Sequence, residues 1–211
     1  MKKTLQMNHS GYSVLFLDIG GVLLTPGWGK ESRLKAAREF GLDFEELNSR
    51  HNLIFNLFET GKISLDEYLE IVVFNLSRNF SVTEFKNFMF AQSVELPAIL
   101  PWLLDWKKKS GIKIISINNE GKELNDYRIK KFGLTQCFDA FISSCETGMC
   151  KPDRALYELA LAVAHIRPAA CIYFDDTLVH IEAARKMGIQ AFHHQSFEET
   201  KKILQTVNFI V

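Results

Sequence analysis

Short apolar segments alternate with helical patterns along most of this chain. Residues 13–24 (SVLFLDIGGVLL) predict a buried strand that runs into a glycine-containing turn. Further strands are predicted at 112–118, 140–143, 171–175 and 191–192. Helices are expected at 97–109, 121–132, 153–164 and 178–187. Because strands that alternate with helices build βαβ units, the sequence predicts an α/β fold with a parallel sheet.

A long helical stretch separates the first predicted strand from the second. Residues 30–93 are helical in pattern, with Ser-x-x-Glu capping boxes at 64–67 and 81–84. Nine of the 17 phenylalanines lie between Phe40 and Phe90. Such a stripe either lines a ligand cavity or forms core, and its helical spacing favours core packing. We expect residues 28–95 to form an all-helical insertion after the first strand.

The charge balance excludes some classes of partner. The chain has 25 Lys and Arg residues against 25 Asp and Glu residues, so its formal net charge is zero. It lacks the basic excess that is typical of proteins that bind nucleic acids. No apolar run is long enough to span a membrane, and polar residues at 6–13 separate Lys2-Lys3 from the first apolar segment, unlike a secretion signal. We expect a cytoplasmic monomer or homodimer that binds neither nucleic acid nor a membrane.

Polar side chains stand where three of the predicted strands end: Asp18, the pair Asn118-Asn119 and the pair Asp175-Asp176. In parallel α/β sheets, ligands bind at the carboxyl ends of the strands. Three carboxylates at that edge would repel one another unless some are protonated or a cation holds them. Oxygen ligands favour a hard ion such as Mg²⁺. The alternative interpretation is that these acids are only turn residues and helix caps.

Groups suited to a phosphate lie in the same part of the pattern. Lys151 stands just before a predicted helix whose expected N-cap is Asp153. Its ammonium group, together with the amides of Asn118 and Asn119, supplies the positive charge and the donors that a phosphate needs. The sequence therefore predicts a site for a cation and a phosphate at one edge of the sheet.

These segments, taken in order, resemble the haloacid dehalogenase-like (HAD) superfamily. The matching features are Asp18-x-x-Gly21-Val22, a strand ending in Asn, Lys151-Pro152-Asp153, Asp175-Asp176 and the phrase IEAARKMGI at 181–189. The resemblance runs from about Val14 to Phe192. It implies a Rossmann-like parallel sheet flanked by helices, with residues 1–27 and 96–211 as the core and residues 28–95 as a helical cap.

The resemblance also implies a chemistry. Asp18 would be the nucleophile that forms an aspartyl-phosphate, and Lys151 would hold the phosphoryl oxygens, with Asn118 and Asn119 as further phosphate-binding residues. Mg²⁺ would be bound by the carboxylates of Asp18, Asp175 and Asp176 and by the backbone carbonyl of Gly20.

The chain departs from the family pattern at three positions. Gly20 stands where phosphatases of the family usually carry a general acid–base Asp. We expect one of three consequences: another residue such as Glu120 or His180 takes over this role, the substrate has a leaving group that needs little protonation, or the protein is slow or inactive. Asn118 takes a position that is normally Ser or Thr. His180 stands where an Asp or Asn often steadies the water ligands of the metal.

Three functions are compatible with these residues. The first is a Mg²⁺-dependent phosphatase acting on a small phosphorylated metabolite, with sugar phosphates as one candidate class. The second is a weakened relative that binds a phosphorylated ligand or a partner, and the third is a metal-free haloacid dehalogenase. The cap side chains proposed to contact substrate are Trp28, Arg33, Arg50 and His51. Cys150, beside Lys151, is either a redox group or an inert thiol.

Overall fold

A five-stranded sheet lies at the centre of the computed structural model, which describes residues 11–207 and 209. Its order is β3-β2-β1-β4-β5, and each neighbouring pair is parallel. The strands are β1 (Val14–Leu17), β2 (Lys113–Asn118), β3 (Ala140–Ser143), β4 (Cys171–Asp175) and β5 (Gln190–His193). The predicted parallel sheet is confirmed, whereas the segment containing Lys2-Lys3 lies outside the described residues.

Ten helices occur in the described part of the chain. They are α1 (Lys30–Glu39), α2 (Phe44–Glu59), α3 (Leu65–Val72), α4 (Val82–Ala91), α5 (Ile99–Ser110), α6 (Lys122–Lys131), α7 (Ser144–Thr147), α8 (Arg154–Ala164), α9 (Leu178–Lys186) and α10 (Phe197–Thr206). The predicted helices after residue 96 match α5, α6, α8 and α9 to within a few residues, whereas α7 and α10 are not predicted from the sequence.

Alternating side chains of β1 divide the core into two layers. Leu15 and Leu17 belong to one buried cluster, which includes residues of α5 and α10. Val14 and Phe16 belong to a second cluster, which includes residues of α8 and α9. Because β1 is apolar on both faces and lies between β2 and β4, it is buried as central strands of parallel sheets are.

The helices α1–α4 follow β1 and form the predicted all-helical insertion. The capping boxes of Ser64 and Ser81 are both present, each with its Glu three residues later. Their interior is a third apolar cluster, in which the rings of Phe40, Phe80 and Phe85 contact one another. The phenylalanine stripe therefore serves mainly as core.

The boundaries of the two predicted units, 1–27 with 96–211 and 28–95, remain a prediction. Among the described residues, no helix is both long enough and apolar enough to cross a membrane.

Candidate active site

Three carboxylates meet where β1 and β4 end. Asp18 directly follows β1, Asp175 is the last residue of β4, and Asp176 comes next. One carboxyl oxygen from each lies within 4.8 Å of the others. These are the three acids that the sequence predicts to meet at this edge, because β1 and β4 are hydrogen-bonded neighbours.

Lys151 is buried between two of these acids. Its Nζ lies 3.0 Å from Asp18 Oδ1 and 2.7 Å from Asp175 Oδ2. Burial alone would lower the pKa of Lys151, but the two carboxylates raise it above its ordinary value. Lys151 is therefore a fixed positive charge beside Asp18.

The side chain of Asn119 holds the backbone of Lys151 in place. Its Oδ1 accepts from Lys151 N at 2.8 Å, and its Nδ2 donates to Lys151 O at 3.0 Å. This pair of hydrogen bonds ties the loop before α8 to the end of β2. The residue after β2 thus positions the cation.

Asp175 is surrounded by donors. Its two oxygens accept hydrogen bonds from Lys151 Nζ, from the Tyr173 hydroxyl and from Thr177 N, and His180 Nδ1 lies 3.0 Å from Oδ1. Burial would raise the pKa of Asp175, but Lys151 and His180 hold it well below its usual value. Asp175 is thus an ionised anchor for Lys151.

Asp18 and Asp176 carry charge that their protein partners compensate less well. Burial raises the pKa of Asp18 to about 7, against the lowering effect of Lys151, and the charge of Asp175 adds to the rise. Burial and the charge of Asp175 likewise raise the pKa of Asp176. The raised pKa values show that positive charge near these two acids is insufficient to stabilise both carboxylates. A divalent cation would supply the missing positive charge.

The donor set fits Mg²⁺. Besides the carboxylates of Asp18 and Asp176, the Gly20 carbonyl accepts no hydrogen bond from the described residues and so is free to bind an ion. All of these donors are oxygen atoms, the type that Mg²⁺ prefers. Asp175 also lies in the cluster, but its oxygens already receive protein donors.

The amide of Asn118 is held by neighbouring protein groups. Its Nδ2 donates to Asn125 Oδ1 at 3.0 Å, and its Oδ1 accepts from Ser143 Oγ at 3.0 Å. The side chain is buried and connects β2 with α6 and β3. Its predicted part in phosphate binding gains no support from this geometry, because both ends of the amide already have protein partners.

A buried ion pair lies next to Gly20. Arg128 Nη1 lies 2.7 Å from Glu120 Oε2, and a Cβ added to Gly20 would lie 3.5 Å from the same guanidinium nitrogen. Arg128 also donates to the carbonyl of Thr25. Glu120, one predicted substitute for the missing acid, is thus occupied by Arg128, a residue that sequence analysis did not identify.

Two adjacent cavities open above these groups. The inner cavity, about 300 Å³, is lined by residues that include Asp18, Gly20, Lys151, Asp176 and His180. The outer cavity, about 380 Å³, lies against the insertion and includes Trp28, Arg33, His51 and Phe58. Four residues line both cavities: Pro26, Phe55, Glu59 and Asn119.

The sequence also predicts Arg50 as a substrate contact. Its side chain instead lies at the surface, where it pairs with Glu46.

Two residues that line the outer cavity, Trp28 and His51, are joined through the hydroxyl of Tyr68. The Tyr68 hydroxyl accepts from Trp28 Nε1 at 2.8 Å and lies 2.7 Å from His51 Nδ1. The indole nitrogen only donates, and His51 Nδ1 is the one acceptor that the described residues offer the hydroxyl proton, so we assign the imidazole to the neutral Nε2–H form. Burial and the charge of Arg33 agree with this form, since they lower the pKa of His51 to about 3.

Cys150 lines the inner cavity without the environment of a reactive thiol. Burial and the neighbouring Asp153 raise its pKa, whereas reactive thiolates need a lowered one. The inert interpretation of Cys150 is therefore favoured.

The chain matches a known family over most of its length. A family model described as haloacid dehalogenase-like hydrolase matches residues 12–188. The chain is similar to bifunctional epoxide hydrolase 2 of Rattus norvegicus, at 27% identity over 83% of this chain and 35% of the rat protein. It thus spans about a third of that relative's length. It is also similar to a phosphorylated carbohydrates phosphatase of Thermotoga maritima, at 26% identity over 92% of this chain and 90% of that protein.

Solved structures show the same fold. A HAD family enzyme of Bacteroides thetaiotaomicron, crystallised as a magnesium complex, superimposes with a TM-score of 0.79 at 20% identity. The match covers 93% of this chain and 100% of that one.

Proposed function

The chain belongs to the haloacid dehalogenase-like hydrolase family, and we propose that it is a Mg²⁺-dependent phosphatase acting on a small phosphorylated metabolite. The observation that carries this proposal is the contact of Lys151 Nζ with both Asp18 and Asp175, beside Asp176. A carboxylate can approach a phosphate only where positive charge offsets both anions. This site holds one buried cation and an acidic oxygen set suited to a second.

Asp18 is the proposed nucleophile. Its carboxylate oxygen forms a bond to phosphorus as the bond between phosphorus and the leaving oxygen breaks, which leaves an aspartyl-phosphate. Lys151 offsets the negative charge of the phosphoryl oxygens and of Asp18, and Asp175 and Asn119 hold Lys151 in position. Water then attacks phosphorus, inorganic phosphate leaves, and the Asp18 carboxylate is restored.

The proposed metal ligands are the carboxylates of Asp18 and Asp176 and the carbonyl of Gly20, next to Asp175. Bound Mg²⁺ would act as a Lewis acid toward the phosphoryl oxygens and would reduce the repulsion between them and Asp18. Both carboxylates would bind it in ionised form, so metal binding would release protons at neutral pH.

The outer cavity supports a sugar phosphate as the first substrate class to test. The residues that line this cavity include the aromatic residues Trp28, Phe55 and Phe58 and the amide residues Asn52 and Asn119. Apolar surfaces with a few polar groups are typical of small-molecule sites, and sugars present both kinds of surface. The relative from Thermotoga maritima, a phosphorylated carbohydrates phosphatase, points to the same class.

A second candidate function is a non-catalytic protein that binds a phosphorylated ligand. Gly20 and the engaged amide of Asn118 favour it, since each removes a group that phosphatases of the family use. Metal-free dehalogenase chemistry is less well supported, because it gives no role to the undercompensated charge of Asp176.

Phosphate release from sugar phosphates, nucleotides and acyl phosphates tests the proposal. We expect Mg²⁺-dependent turnover that is lost in Asp18→Asn or with EDTA, and retained in the exposed-surface control Asp105→Asn. Absence of turnover together with Mg²⁺-dependent thermal stabilisation by BeF₃⁻ would indicate the binding protein. Halide release from haloacids without Mg²⁺ would indicate the dehalogenase.

A further inference from the structure

The proposed phosphatase lacks an assigned proton donor. An alkoxide leaving group has to be protonated as its bond to phosphorus breaks, and general acid catalysis is worth about 10²- to 10⁴-fold. Gly20 offers no side chain, and Glu120 is held by Arg128. The donor has to lie where the phosphoryl group meets the rest of the substrate, at the junction of the inner and outer cavities.

Glu59 lies at that junction. Four residues line both cavities, and Glu59 is the one titratable residue among them. Its carboxyl group has no hydrogen bond or ion pair with any described residue, so it is free to contact a ligand. His180 lines only the inner cavity, and its Nδ1 already contacts Asp175.

The end of α2 that carries Glu59 is fixed against the sheet side of the molecule. The backbone carbonyl of Glu59 accepts from Ser144 Oγ at 2.6 Å. Just before Glu59 in the chain, the Phe58 ring occupies the space that a side chain at Gly121 would need. Just after it, Gly61 packs so closely on the backbone of Cys145 that a Cβ at Gly61 would overlap with it. Larger residues at either glycine would push α2 away. These contacts hold the backbone of Glu59 in place where the residue lines both cavities.

Burial keeps this carboxyl group protonated near neutral pH. Burial raises the pKa of Glu59 to about 8, with a further rise from Glu120, a lowering effect of Lys151 and a smaller rise from Asp18. Glu59 is also the last residue of α2, where the helix dipole disfavours a negative charge. An acid at this position is costly for folding, which is typical of residues kept for function.

We propose that Glu59 is the general acid and base of the reaction, supplied by the helical insertion in place of a side chain at residue 20. This inference rests on the proposed phosphatase function. In the first step, the Glu59 carboxyl proton passes to the leaving oxygen as Asp18 bonds to phosphorus, which yields the alcohol and the Glu59 carboxylate. In the second, that carboxylate takes a proton from the attacking water as the bond between Asp18 and phosphorus breaks. The cycle consumes one water and regenerates both side chains.

The test compares Glu59→Gln with Glu39→Gln. Glu39 is the last residue of α1 and is exposed, so it matches Glu59 in residue type and helix position but lies outside both cavities. Each variant is assayed by rapid quench with Mg²⁺, first on the best alkyl or sugar phosphate and then on p-nitrophenyl phosphate, whose leaving group needs no proton at neutral pH. Melting curves check that each variant is folded.

For Glu59→Gln we expect phosphoryl transfer from the alkyl phosphate to slow by about 10²- to 10⁴-fold. The rate of phosphoryl transfer from p-nitrophenyl phosphate should change by less than about tenfold. We expect a burst of p-nitrophenol equal to the enzyme concentration and then slow turnover, because Glu59→Gln also lacks the base that activates the attacking water. Glu39→Gln should match the wild type. Equal losses on both substrates, or none, would overturn the role of Glu59 while leaving the phosphatase intact. A wild type that releases phosphate from no ester would overturn both.

Discussion

The carboxylate of Asp176 occupies the space that a side chain at Gly21 would need. A Cβ built on Gly21 would overlap the Asp176 carboxyl group, and Gly21 also has a φ of +71°, in the left-handed region that favours glycine. The turn after Asp18 and the acid after β4 therefore fit together only with glycine here. This contact sets the position of Asp176 relative to Asp18.

We predict that Gly21→Ala weakens Mg²⁺ binding by about 10- to 100-fold, because it displaces Asp176. Isothermal titration with Mg²⁺ measures the effect. Gly148→Ala is a matched control, since Gly148 has a φ of +70° but open space around its Cβ position. Both variants carry backbone strain, and only Gly21→Ala should lose metal affinity; equal affinities would argue against Asp176 as a ligand.

Lys151→Met should abolish turnover and lower the free energy of unfolding by about 3 to 5 kcal/mol at neutral pH. The reason is that Asp18 and Asp175 would be left buried without their cation. Chemical denaturation without Mg²⁺ measures the change. Lys109→Met, which removes an exposed pair with Asp105, should cost less than about 1 kcal/mol. Similar losses in both variants would contradict the buried role of Lys151.

Tyr68→Phe should lower the free energy of unfolding by about 1 to 3 kcal/mol. The hydroxyl is buried between Trp28 and His51, and its loss leaves the indole N–H without an acceptor. Tyr127→Phe is the control, because among the described residues the one hydrogen-bond partner of the Tyr127 hydroxyl is the exposed Lys131. A Tyr68→Phe variant as stable as the control would show that the Trp28–Tyr68–His51 chain contributes nothing.

The stability of the wild type should depend on pH through Glu59. Its pKa is raised from an ordinary 4.5 to about 8 on folding, so the folded state holds the proton more tightly. The associated stability is complete below about pH 4.5 and is lost as the pH rises through 8. Glu59→Gln does not titrate and escapes this loss.

The stability of Glu59→Gln relative to the wild type should therefore increase between pH 5 and pH 9. We expect a gain of at least about 1.4 kcal/mol, the equivalent of one pKa unit. Urea denaturation at several pH values measures it, with Glu39→Gln as the control that should stay flat. A flat difference for Glu59→Gln as well would show that Glu59 has an ordinary pKa.

The sequence predicts the parts of this site that depend on strand ends. Asp18, Asp175 and Asp176 meet because apolar runs mark β1 and β4, and polar residues follow each run directly. The place of Lys151 just before α8 likewise predicts that it lies beside them. These inferences need only the rule that ligands bind at the carboxyl ends of parallel strands.

The sequence does not predict which side chains the packing leaves free. Asn118 and Asn119 are adjacent amides, yet only Asn119 lines the cavities, because Ser143 and Asn125 take up Asn118. Glu59 lies far along the chain from Asp18, Lys151 and Asp176, and the packing of α2 on Gly121 brings it close to them. A negative charge at a helix C-terminus was its one local signal.

Acid quench during turnover, followed by mass spectrometry of the peptide containing Asp18, tests the account most directly. We predict a phosphoryl group on Asp18 that forms only with substrate and Mg²⁺ and is absent in Asp18→Asn. Phosphate release at the wild-type rate by Asp18→Asn, or a phosphoryl group on another residue, would contradict the proposed nucleophile.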